Sequence, residues 1–188
     1  WIEQIDTSKI NCRKKALIDS KDYFLNYNYT DILERVYHIE NVLHIHGGVG
    51  SVSDVPPIMG HCNIDEIRKH HQWKKEADEE YEEGEASIQE AIAKYLEAIY
   101  KDTDFIISLH SCFFEKIQEV NKVIIIGWSA GNVDVPYLRK IKESVNRNTE
   151  WIAYWYDDEG YNSLIAAFNT VGIKDGDVRY EKSNEFWD

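Results

Sequence analysis

Alternation of apolar and polar positions is strictest in "NVLHIHG" (41–47), where Val42, His44 and His46 share one face and Leu43 and Ile45 the other. A period of two predicts a strand, and Gly47 and Gly48 end it. Upstream, "DYFLNYNY" predicts a short strand and Asp31 to Val36 a helix, with Thr30 or Asp31 as its cap. "KVIIIG" is apolar without alternation, which predicts a central strand of a parallel sheet, covered on both faces. "EWIAYWY" predicts the next strand and "DVRY" a last short one.

Helical spacing fills the intervals. Ile88, Ile92, Tyr95, Leu96 and Ile99 recur on one helix face and predict a core contact; Phe113, Phe114 and Ile117 do the same within a helix over 105–120. Pro136 in the first turn opens a helix running to about Val145, and Gly172 stops the helix of "SLIAAFNTVG". The charge run "KKEADEEYEEGE" predicts a solvated helix face or hairpin tip. Strand and helix alternate after residue 100, so the expected fold is α/β: a three-layer parallel sheet of Rossmann type. It forms a single domain over 1–188 with a helical insertion at 63–101.

Composition narrows the partners. The 188 residues carry a net charge of -13, which argues against binding nucleic acid through charge, although backbone amides at a helix start can still hold a small anion. Cys12, Cys62 and Cys112 are few, odd in number and widely spaced, which fits a reducing, cytoplasmic setting. No apolar run approaches the ~20 residues of a membrane span. The chain opens at Trp1 rather than Met and reads as part of a longer protein.

Ligands of parallel sheets bind beyond the carboxyl ends of the strands. Three polar loops fall there: Asn26-Tyr27-Asn28, His46-Gly47-Gly48 and Gly127-Trp128-Ser129. The last lies in a G-x-S-x-G motif, the signature of a serine nucleophile elbow. That elbow needs a helix at the serine and a histidine downstream. Here Gly131-Asn132-Val133-Asp134 intervenes, and His38, His44, His46, His61, His70, His71 and His110 all precede Ser129. A serine hydrolase is therefore the weaker alternative. His44, His46, His61 and Cys62 could be drawn as a zinc site, but their spacing matches no standard motif, and no metal is expected.

The ordered motifs "FLNYNYTDILERVYHIENVLHIHG" and "VIIIGWSAGNVDVPYL" resemble those of the bacteriophage abortive infection AbiH family over roughly residues 22–156. That family carries a further N-terminal strand with an N-G-F-D-like loop, expected here before Trp1. The resemblance implies a cytoplasmic anti-phage protein with a sirtuin-like fold. It also implies NAD or a related nucleotide as ligand and substrate, hence a glycohydrolase, acting as a homo-oligomer or with a defence-system partner. Residue by residue, it makes His46 the catalytic histidine and Asn28 the asparagine that orients water or ribose. Tyr29, Glu34, Gly47, Gly127, Ser129 and Asp134 are carried over as ligand-binding. No four-cysteine zinc module is present, so protein deacylation is not implied. A non-catalytic nucleotide-sensing or partner-binding module remains the other class. Each residue also has a plainer role open to it: Asn28 as a turn former, Glu34 against the helix dipole, Asp134 as a helix cap, Ser129 satisfying backbone groups. For His46, before two glycines at a strand end, a structural purpose is hardest to find.

Overall fold

The computed structural model describes residues 19, 21–49 and 55–187. Cys12 lies outside them; Cys112 is an exposed free thiol. The chain divides into two compact units, one made of Trp1–Ile58 with Asp104–Asp188, the other of Met59–Thr103. Among the described residues no helix is long and apolar enough to cross a membrane.

The first unit is α/β, with every described strand pair parallel. Strand β1 (Phe24–Asn26) is followed by helix α1 (Ile32–Tyr37) and strand β2 (Val42–His44), and β1 pairs with β2. After the second unit come α4 (Thr103–Leu109), α5 (Ser111–Lys116), β3 (Lys122–Ile126), α6 (Val135–Ser144), β4 (Glu150–Trp155), α7 (Asp158–Thr170), β5 (Val178–Lys182) and α8 (Ser183–Trp187). Strands β3, β4 and β5 form a second sheet in that order. The pairing thus gives two small parallel sheets rather than one. The helix expected over 105–120 breaks at His110 into α4 and α5, and the Ser108 hydroxyl bonds the Phe105 carbonyl (2.7 Å) just before the break.

Among the described residues "KVIIIG" stands at an edge of its sheet, not at the centre, and β3 pairs with β4 alone. Val123 and Ile125 pack on the main core, while Ile124 and Ile126 on the other face remain 39% and 40% exposed. An apolar run reports a preference for burial, not the number of neighbours a strand finds. The main core joins Phe114 and Ile117 to Leu138 of α6, Trp151 and Ala153 of β4, and Leu164 and Phe168 of α7. A smaller cluster of Ile45, Ile106 and Tyr137 gathers Leu25, Leu43 and Ile58 around it.

The second unit is a helical hairpin of α2 (Ile64–Glu79) and α3 (Glu83–Ala98). Asn63 caps α2 by accepting the Glu66 amide (3.1 Å). The charge run forms the solvated tip, where Tyr81 is 91% exposed. The expected core face of α3 holds in part: Ile92, Leu96 and Ile99 are half-buried, but the face is rotated away from Ile88 and Tyr95. Ile88 and Tyr95 are 54% and 63% exposed, and α3 instead buries Ala86, Gln89 and Ala93. The buried pair of His70 Nδ1 and Gln89 Oε1, 2.6 Å apart, sets this rotation, since a polar contact inside the hairpin must be met or lost. His70, within a helix whose sequence is mostly polar, is buried as well.

Candidate functional site

The loop after β1 is shaped by Asn26. Its Oδ1 accepts the Asn28 amide (3.0 Å), and its Nδ2 donates to the Thr30 carbonyl (3.4 Å). This Asx turn explains how a Tyr-rich segment reverses, and it assigns the turn-forming role to Asn26 rather than Asn28. The Asn28 side chain is exposed, while its carbonyl meets His44 Nδ1 at 3.1 Å. Tyr29 braces the same loop: its hydroxyl donates to the Ile58 carbonyl (3.0 Å), and its own carbonyl accepts the Val49 amide (3.1 Å).

Strand β2 ends at His44, earlier than the alternation predicts, and His46 lies in the turn beyond it. His46 is only 4% exposed, and its carbonyl accepts the Ile58 amide (2.8 Å). Its ring is flanked by Tyr27 (centroids 5.4 Å apart) and Tyr137 (5.3 Å), and Nε2 approaches Asp134 Oδ1 to 3.4 Å. That approach is an ion-pair distance outside hydrogen-bond geometry. Asp134 stands at the N-cap position of α6, yet its side chain makes no cap hydrogen bond. A carboxylate that forgoes its helix and faces a histidine has been positioned by tertiary structure. The plain capping role does not hold.

Tyr27 packs on Tyr137 at 5.8 Å and tilts over Trp128 at 6.3 Å. Burial, then the Asp134 carboxylate and Tyr137, pushes the Tyr27 phenol far above its usual value, so it stays neutral and keeps its proton. Burial, then Asp134, also raises Tyr29. The arrangement is an Asp–His pair enclosed by two phenols, the parts from which general acid–base chemistry is built.

The third loop leaves β3 through Gly127 (φ +64°) and passes Ala130, whose φ of 54° is strained for a residue with a side chain. Helix α6 begins only at Val135, so the serine elbow geometry is not formed at Ser129. Gly127, Trp128 and Ser129 line a cavity of about 350 Å³, together with Trp155 at the end of β4, Asp157 just after it and Ser163 of α7. The cavity lies at the carboxyl ends of parallel strands, where the topology rule places ligands. Asp157 caps α7 through the Gly160 amide (2.8 Å).

Glu34 does not simply face the helix dipole: its Oε1 lies 2.6 Å from His44 Nε2. Gly47 serves the backbone, because a Cβ there would collide with the Val55 and Pro56 carbonyls. Of the expected residues, the fold joins His46 to Asp134 and sets Gly127 and Ser129 together on the cavity wall. Tyr27, Trp128, Tyr137 and His44 escape sequence reasoning. The signal for them was present: Tyr27 and Trp128 lie in two of the polar loops, Tyr137 in the "VIIIGWSAGNVDVPYL" motif, and His44 shares a face with His46. Among the described residues no group of three or more His, Cys, Asp or Glu is arranged to hold a metal ion.

A family model, bacteriophage abortive infection AbiH, matches residues 1–155, and the chain belongs to that family. No curated protein and no solved structure matches the chain.

Proposed function

We propose that this member of the AbiH family defends its host by binding and cleaving NAD or a related nucleotide, which shuts down the infected cell. Membership in the family supports the abortive-infection role. The observation that carries the chemistry is the His46–Asp134 approach at 3.4 Å between the Tyr27 and Tyr137 rings.

In this reading the sheets belong to a sirtuin-like arrangement in the cytoplasm, and the dinucleotide lies along the carboxyl ends of the strands. Cleavage of the nicotinamide–ribose bond builds positive charge on the sugar. His46 takes a proton from a ribose hydroxyl or from the attacking water, and Asp134 stabilises the imidazolium that results. Asn28 orients the water or the ribose hydroxyls, and Gly127 with Ser129 lets backbone approach the adenosine and phosphate half. Tyr29, Glu34 and Gly47 act behind this first rank of contacts. The full-length protein works as a homo-oligomer or with a defence-system partner that gates it.

The test is NAD content in cells carrying the full-length protein during phage infection, with the purified protein assayed for nicotinamide release. Loss of NAD with His46 intact, and none with His46→Gln, is the expected result. Unchanged NAD together with preserved protection would refute the enzymatic reading. The burial of His46 favours one alternative, a nucleotide-sensing module without turnover. Tight dinucleotide binding with no product would select it.

A further inference from the structure

His44 is more enclosed than any role as a strand residue requires. Its side chain is 2% exposed, and both ring nitrogens are engaged: Nε2 with Glu34 Oε1 at 2.6 Å, Nδ1 with the Asn28 carbonyl at 3.1 Å. A carbonyl only accepts, so Nδ1 donates to Asn28, and Nε2 is left within hydrogen-bond reach of the Glu34 carboxyl group. The other oxygen of Glu34, Oε2, is buried and takes no hydrogen bond among the described residues. The carboxylate is thus directed at this ring.

The two contacts do different work. Glu34 lies on α1, so its bond fixes the rotation of the imidazole. The Asn28 carbonyl lies in the loop that carries Tyr27 and Asn28 towards His46 and Trp128. We propose that His44 is a positioning residue that anchors the Asn26–Thr30 loop through the Asn28 carbonyl, with Glu34 as the brace that aims it. The ring ties the loop to the end of β2 and so sets Tyr27 against His46. The proposal rests on the nucleotide-site reading only for its activity readout.

Side-chain geometry separates the two contacts. An asparagine places its amide nitrogen close to where Nδ1 stands, and a glutamine places it close to Nε2. His44→Asn therefore keeps the loop anchor and loses the brace, whereas His44→Gln keeps the bond to Glu34 and loses the anchor. Hydrogen exchange of the 27–30 amides in the full-length protein reads the anchor directly. His44→Gln is expected to exchange there roughly five- to tenfold faster than His44→Asn, the factor for losing one hydrogen bond. Phage protection should survive in His44→Asn and fail in His44→Gln. Equal exchange in the two variants, or faster exchange in His44→Asn, overturns the proposal. If neither variant folds, Glu34→Gln and Glu34→Ala decide it. The glutamine can still hold the ring and should leave loop exchange unchanged, while the alanine should raise it; equal exchange in both refutes the brace. NAD consumption is followed in parallel. If even the unaltered protein consumes none, the catalytic reading falls and the exchange contrast still decides the anchor.

Discussion

Gly47 and Gly127 both adopt a positive φ, +71° and +64°, but the space around them differs. At Gly47 a side chain would strike two carbonyls; at Gly127 nothing lies within 4 Å of an added Cβ. Gly47→Ala combines backbone strain with a clash and should cost on the order of 3 kcal/mol. Gly127→Ala carries the strain alone and should cost about 1 kcal/mol. Urea unfolding of the two variants checks the contrast, and equal losses would contradict it. If the proposed NAD cleavage is the activity, the effect expected at His46 is on rate. His46→Gln preserves most of the buried volume and should lower nicotinamide release by ~100- to 10,000-fold, the usual value of a general base. Asp134→Asn should lower it less, because it removes charge beside the imidazolium and leaves the base. That order would reverse if Asp134 were itself the proton acceptor.

Elements show where sequence pattern and fold part company. His70 lies on α2 beside charged residues, and nothing in the local pattern marks it as buried; its partner Gln89 sits on α3, across a hairpin turn. Pairings of this kind depend on how one helix is rotated against another, and periodicity measures each helix by itself. His70→Ala removes a buried hydrogen-bonding partner of Gln89 and should destabilise the hairpin by about 2 kcal/mol. A loss below one quarter of that, read from thermal unfolding of the helical signal, would show that Gln89 finds another partner. The elements themselves were largely legible, since strands β3 to β5 and helices α6 and α7 follow from apolar runs, Pro136 and Gly172. The site was legible in part. His46 stood out because a histidine before two glycines needs a reason, while its partner Asp134 looked like a helix cap. Only the fold could say that the carboxylate makes no cap bond to its own helix and lies near His46 instead. Likewise the apolar run of β3 could not say which of its edges would be paired.

Across the molecule, tyrosines link stability to alkaline pH. Burial first, then a nearby carboxylate, pushes Tyr154 and Tyr180 up to about 12, with Glu181 acting on Tyr154 and Asp175 on Tyr180, and Tyr27 is raised further by the same kinds of cause. A tyrosine raised in the folded state holds its proton more tightly there than when unfolded. The stability it contributes is full below the unfolded value of about 10 and fades as pH rises through the folded values. Melting temperature should therefore fall between roughly pH 10 and 12, and Tyr27→Phe should make that fall shallower. A melting temperature flat to pH 12 would contradict the assignment.

The hairpin of α2 and α3 leaves and rejoins its own base at one point. His61 and Tyr100 form a parallel bridge there, with the His61 amide donating to the Ile99 carbonyl (3.2 Å) and the Lys101 amide to the His61 carbonyl (2.7 Å). Entry and exit of the excursion are thus already sewn together, which is the condition for a cassette that can be cut out without stretching the chain it leaves. Replacing residues 62–99 by a short glycine linker should yield a protein whose remaining unit still unfolds cooperatively. Phage protection then sorts what the cassette is for. If it persists, the excursion is dispensable ornament; if it vanishes while NAD cleavage continues, the hairpin is the part that listens for the invader.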